Sequence, residues 1–166
     1  IRLKIMMDEL RLRETTSSNF GVSDAETLDV DISGGRILVV EDREIYARNI
    51  NQALEDNHTV TMAINADEAI EAAKTGNVDL IIVSLSLQET DGLRLCSHLR
   101  SMEESRQMPI LILVDDTPDQ MESLVRGLDL GVNDYLIRPV DQNELIARCR
   151  TQLRRKKYED RLRSNY

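Results

Sequence analysis

The feature that most constrains this chain is an alternation: five short apolar runs, each followed by a segment with helical periodicity. The runs are Arg36–Val40, His58–Ile64, Asp79–Val83, Pro109–Val114 and Asn133–Ile137. Their length suits strands, and DLIIV and PILILV are apolar enough to lie at the centre of a sheet. After the first run, Tyr46, Ile50, Ala53 and Leu54 recur with the spacing of one helix face. After the second, Asn65 and Glu68 form a capping box ahead of the apolar set Ala66, Ala69, Ile70 and Ala73. Asp91-Gly92 opens the third helix, marked by Leu95, Leu99 and Met102. Thr117, Pro118 and Gln120 start the fourth, whose apolar face is Met121, Leu124, Val125 and Leu128, and Gly131 ends it. Asp141 and Glu144 form the box of the last helix, carried outward by Ile146, Cys149 and Leu153. Strands alternating with helices predict a parallel sheet covered on both faces. Right-handed crossovers favour a doubly wound sheet, for which 2-1-3-4-5 is a common order.

In such a sheet, ligands bind outside the carboxyl ends of the strands. That edge collects Glu41 and Asp42 from the first strand and Ser84 from the third. The fourth brings Val114 with Asp115 and Asp116, and the fifth brings Arg138, just before Pro139.

This pattern resembles the receiver domains of response regulators, over about residues 36–155. Receivers place an acid pair after strand one and a phospho-accepting Asp after strand three. A Thr or Ser follows strand four and a Lys-Pro follows strand five. The loop from Ser84 to Gly92 has the receiver spacing, with Asp91-Gly92 seven and eight residues past the acceptor position. The resemblance implies an α/β, flavodoxin-like (CheY-like) fold and a role in two-component, phosphorelay signalling. Here the acceptor position is Ser84, the hydroxyl position is Val114 and the lysine position is Arg138; only Glu41 and Asp42 keep the family's character. Ser84 has no carboxylate with which to form an acyl phosphate. A Mg²⁺ site loses one hard oxygen ligand and one charge. A receiver Lys is a flexible point charge, whereas Arg138 is a planar, permanently charged fork. Arg138 is expected to pair with Glu41 or Asp42 and partly occupy the cation's place. The expectation is a degenerate, phosphorylation-incompetent receiver without a cofactor. The alternative is a divergent receiver that still binds Mg²⁺ weakly through Glu41 and Asp42, with Asp115 and Asp116 nearby, and switches on a non-standard ligand or acceptor. Arg138-Pro139 is expected to be cis, as it often is in receivers.

The flanks extend the resemblance. Residues 1–14 read as a helix with a stripe of Leu3, Met6, Met7 and Leu10, widened by Ile1, Ile5 and Leu12. Residues 15–35 hold four acids and no bases and read as a linker. With the tail from Thr151 to Tyr166, the whole resembles PleD-type response regulators, in which two receivers precede a GGDEF (diguanylate cyclase) domain. There the second receiver lacks the acceptor and serves as an adaptor for dimerisation. Residues 1–14 would then end the preceding receiver's last helix, 36–155 would be the adaptor, and 156–166 would start a helical connector. The chain opens on Ile1 rather than Met and is expected to be a piece of a longer protein. Its only Gly pair is Gly34-Gly35, so no GGDEF-like motif is present and this fragment is not expected to be an enzyme. Conversion of GTP to cyclic di-GMP would belong to the parent protein.

The partners expected are a phosphorylatable receiver and a GGDEF domain of the same chain, in a homodimer. Candidate contacts are Arg126 on the fourth helix, Asp134 and Tyr135 on the fifth strand and Arg148 on the last helix. Composition narrows the rivals. The segment Arg148–Arg163 carries eight bases and two acids, while the whole chain has a net charge of −9. So acidic a body repels phosphates, and with no Trp and one Phe there is no stacking platform, so nucleic acid is not an expected partner. No run approaches ~20 apolar residues, so no membrane span is expected. Two cysteines suit a reducing cytoplasm rather than a disulfide scaffold.

Overall fold

The structure, a computed structural model, describes residues 34–164. The expected helix over 1–14 and nearly all of the acidic linker lie outside the described residues. Five strands form one parallel sheet: β1 (Gly35–Val40), β2 (His58–Ala63), β3 (Leu80–Ser84), β4 (Ile110–Val114) and β5 (Asp134–Ile137). Their order is β2-β1-β3-β4-β5, as expected. The helices are α1 (Glu44–Leu54), α2 (Ala66–Lys74), α3 (Gly92–Ser101), α4 (Pro118–Asp129) and α5 (Gln142–Ser164). Every residue of β3 and β4 is buried, the mark of strands covered on both faces. Among the described residues no helix is long and apolar enough to cross a membrane.

Side chains alternate between the two faces of a strand, and that alternation divides the core. Ile37, Val39, Leu80, Ile82, Leu111, Leu113 and Leu136 pack with Ile50 and Leu54 of α1 and Leu145, Cys149 and Leu153 of α5. Leu38, Ile81, Ile110 and Ile112 fall on the alternate positions and are equally buried.

The caps follow the sequence, with differences that matter. Asn65 accepts the Glu68 N–H, but Glu68 Oε1 accepts the N–H of Ile64, one residue before the cap. Thr117 accepts the Gln120 N–H, which frees the Gln120 side chain for other partners. Asp141 accepts the Asn143 N–H, and Glu144 lies 3.8 Å from Arg148. The expected apolar face of α4 is narrower than its pattern. Leu124 and Gly127 are buried, and the approach at Gly127 is close: a Cβ there would meet Leu93 and Ile112 at 3.1 and 3.2 Å. Val125, expected on that face, is instead 52% exposed. Met102 caps α3 instead of lying within it. α5 runs unbroken through the boundary expected at 155–156.

Candidate functional site

Register brings the carboxyl ends of four strands together. Val40 lies beside Val83, Ser84 beside Leu113 and Val114 beside Ile137. Glu41, Ser84, Asp115 and Arg138 therefore face one cleft. Gly92 shapes its loop, since a Cβ there would stand 2.8 Å from the Ser84 carbonyl oxygen. No larger residue fits so close to a backbone, which accounts for the Asp-Gly at this spacing. Asp91 itself caps α3 by accepting the Leu93 N–H.

The centre of the cleft is a guanidinium. Arg138 is 7% exposed and Glu41 1%, and Arg138 Nη2 donates to Glu41 Oε1. The same Nη2 donates to Ser84 Oγ at 3.0 Å. Nη1 donates to Asp115 Oδ1 and to Ser86 Oγ, each at 3.2 Å. The Tyr46 ring lies 4.6 Å from the Arg138 guanidinium carbon and 4.3 Å from that of Arg43. Such stacking suits a delocalised cation. Arg43 Nη2 also stands 3.6 Å from Asp115 Oδ2. Burial pushes the Asp115 carboxyl up, but the Ser86 hydroxyl, the Arg138 hydrogen bond and the two arginine charges outweigh it and hold it below the ordinary carboxylate range.

Arg138 pairs with Glu41 and not with Asp42. Asp42 Oδ2 accepts the Gln88 N–H at 2.8 Å, while its Oδ1 is buried without a hydrogen-bond partner. Val114 is wholly buried and offers the cleft no hydroxyl. Asp116 is exposed on the loop beyond. Arg138-Pro139 is cis. Among the described residues, no group of three or more His, Cys, Asp or Glu side chains is gathered as a metal site would require.

Sequence reasoning missed four residues here. Tyr46 was expected only as a helix-face residue, and Arg43 not at all. Ser86 supplies a cleft hydroxyl: its Oγ donates to Asp115 Oδ2 at 2.8 Å and accepts from Arg138 and from Gln120 Nε2, the latter at 2.9 Å. Gln120 closes the ring, its Oε1 accepting the Asp115 N–H at 2.6 Å. The available signals were the position of Ser86 two residues past Ser84 and an amide at the third helical position, where a cap reading already accounted for it.

Three of the four expected docking residues need correction. Asp134 is 4% exposed and Tyr135 7%; neither forms an open surface. Arg148 Nη1 reaches both Asp134 oxygens at 2.9 and 3.0 Å, with 12% of its side chain exposed. A short strand beside a long helix lets the arginine fold down onto the acid, so the two charges satisfy each other within the domain. Arg126 alone is exposed, near Ser123 on its own helix.

A parallel sheet of this order, with an acid pair, a basic strand-five residue and an Asp-Gly loop at one edge, defines a receiver-type signalling domain. The chain belongs to the response regulator receiver domain family, whose model matches residues 37–150. It is 41% identical to the response regulator PleD of Caulobacter vibrioides over 164 residues, 99% of this chain and 36% of PleD. The chain thus spans about a third of that relative's length. Its fold is shared with a CheY-like receiver domain protein of Methanospirillum hungatei, at a TM-score of 0.69 and 22% identity, covering 76% of this chain and 99% of that one. A sensor histidine kinase receiver domain of Pseudomonas aeruginosa, solved with a magnesium ion coordinated in its active site cleft, matches at a TM-score of 0.66 and 26% identity. That match covers 73% of this chain and 98% of the other.

Proposed function

We propose that this domain is a phosphorylation-incompetent receiver used as an adaptor, the second receiver of a PleD-like protein, whose packing against a phosphorylated receiver dimerises a diguanylate cyclase. The observation that carries the reading is the Arg138 guanidinium among Glu41, Ser84, Ser86 and Asp115. A receiver's switching chemistry needs a carboxylate nucleophile and hard oxygen ligands for Mg²⁺. Here a neutral hydroxyl stands in the acceptor position and a fixed cation engages the acid that would ligate the metal. The donor set does not fit a receiver-type Mg²⁺ site. An adaptor is served by a cleft that holds one state. The exposed part of α4, with Val125 and Arg126, and its C-cap Leu130 offer an apolar and basic face for a neighbouring receiver.

One observation favours the alternative, a weak divalent site used by a divergent switch. Asp42 Oδ1 is buried without a partner, and a cation at that oxygen would satisfy it. Amide-resolved NMR separates the readings. Titration with Mg²⁺ and then beryllium fluoride is expected to leave the resonances of Asp42, Ser84 and Arg138 in place. Saturating shifts that spread to α4 overturn the adaptor reading. The double variant Ser84→Asp, Arg138→Lys is expected to gain such a response.

A further inference from the structure

Arg100, in the last turn of α3, is a second guanidinium hub, and unlike Arg138 it holds no acid. Nη2 donates to the Gly131 carbonyl at 2.9 Å and to Asn133 Oδ1 at 2.8 Å. Nη1 donates to the carbonyls of Met108 and Arg106, the latter at 3.3 Å, and reaches that of Ser105 at 3.5 Å. These acceptors are all neutral. A cation suits the place, because the C-terminal ends of α3 and α4 meet there and each is the negative end of a helix dipole.

The two nitrogens serve different segments. Nη2 holds the turn from α4 into β5, where Gly131 takes φ +92°, a conformation open to glycine. Nη1 holds the loop 102–109 between α3 and β4, which Ser105 also folds back by donating its buried hydroxyl to the Leu99 carbonyl. Asn133 Oδ1 accepts the Ile110 N–H as well, at 2.8 Å, so the turn and the start of β4 are joined at the same point. A lysine has one nitrogen and cannot span both segments.

The same loop meets the end of α5. Leu153 is the last buried residue of that helix. Beyond it, Arg163 Nη2 donates to Gln107 Oε1 at 2.9 Å, and Lys156 and Asp160 line a groove with Gln107 and Met108. The direction of these last turns therefore depends on where the loop stands.

We propose that Arg100 is a positioning residue: a strut that locks the α4–β5 turn to the loop 102–109 and, through Gln107, fixes the direction in which the last turns of α5 leave the domain. The inference deepens the adaptor reading and rests on it for its use. A contact on α4 that reaches Leu130 lies next to Gly131, and the strut carries it to α5 without a switch. Coupling of this kind travels through rigid elements joined by hydrogen bonds.

The test is a spin-label distance measurement in the full chain, with labels at Asp129→Cys on α4 and Leu162→Cys on α5; native Cys96 and Cys149 are buried. Labelled chain is diluted in unlabelled chain, so the distance is one within a single molecule. The distance distribution is expected to be at least twofold wider in Arg100→Ala. Arg100→Lys keeps the charge and loses the fork, and is expected to be as wide. Gln107→Ala is expected to widen it too, and the double variant Arg100→Ala, Gln107→Ala no further than the wider single one, as two breaks in one strut do. Gln120→Ala loosens the opposite edge of the sheet and is expected to leave the width unchanged, which sets the strut apart from general loosening. An unchanged width in Arg100→Ala, full recovery by Arg100→Lys, additive widening in the double variant, or equal widening in Gln120→Ala overturns the strut. Should Arg100→Ala fail to fold, Asn133→Ala and Gln107→Ala cut the two ends separately, and anything less than widening by both overturns it. The strut stands or falls on these widths and the adaptor reading on the Mg²⁺ titration, so the two failures are told apart.

Discussion

At each edge of the sheet an arginine and a carboxylate tie β1 to another strand, and the two pairs do different work. At the amino edge, Arg36 Nε and Nη2 reach Asp79 Oδ2 and Oδ1, each at 3.1 Å, with 45% of the arginine side chain exposed. At the carboxyl edge, Arg138 and Glu41 have side chains 5% and 0% exposed. The exposed fork trades one set of solvated charges for another and contributes little. The buried fork is held by groups from two further strand ends, those of β3 and β4, and each side chain depends on the other for its charge to be tolerated. The same chemical pair is a surface staple at one edge and the fixed centre of a cleft at the other. What differs is access to water.

The largest effect that would break this comparison is expected from Arg138→Met. It leaves Glu41 buried without its cation, and removing one partner of such a pair costs about 3–5 kcal/mol. Urea unfolding at neutral pH measures this. The double variant Arg138→Met, Glu41→Gln is expected to recover most of the loss, because no unpaired charge remains. A single-variant loss as small as that of a surface pair would mean that water reaches Glu41.

A smaller effect is expected from Gln120→Ala. This change removes the acceptor of the Asp115 N–H and a donor to Ser86, worth roughly 1–2 kcal/mol together. Hydrogen exchange is expected to speed up at Asp115 and in the first turn of α4 while β1 and β3 keep their protection. Unchanged exchange there would detach α4 from the cleft. At the amino edge, Arg36→Ala is expected to lower stability by under about 1 kcal/mol, and by less in high salt.

These residues also mark what was legible in the sequence. The fold was, because strand runs such as LIIV and ILILV and caps such as Asn65 and Thr117 act locally and agree with one another. The pairing of Arg138 with an acid was legible because strand ends converge whatever the loops do. Which acid it takes was not, since Glu41 and Asp42 are neighbours and only the loop carrying Gln88 decides that Asp42 turns away. Asp134 and Arg148 read as surface charges because their sequence separation hides that β5 and α5 fold one onto the other. Gln120 was read as a cap residue, and a cap accounts for its backbone while leaving its amide undetermined.

The smallest expected effect sharpens the comparison by separating the two edges in pH. His58 begins β2 beside Gly35, at the amino edge. Burial first, and then the charges of Arg150 and Lys157, hold its imidazole below the usual histidine value. The unfolded chain therefore binds this proton more readily than the folded one. The corresponding stability is full above the unfolded value of about 6.5 and is lost as pH falls below it toward the depressed folded value. Asp115, at the carboxyl edge, is also depressed, and by the same linkage its contribution persists until pH falls below the unfolded carboxylate value, near 4. Unfolding midpoints followed from pH 8 to pH 3 are expected to fall in two stages. His58→Gln should flatten the stage just below neutrality and leave the acid stage intact, and Asp115→Asn should flatten only the acid stage. If His58→Gln left the near-neutral slope unchanged, the amino edge would be as indifferent to this proton as a solvated surface is, and the distinction between the edges would rest on Arg138 alone.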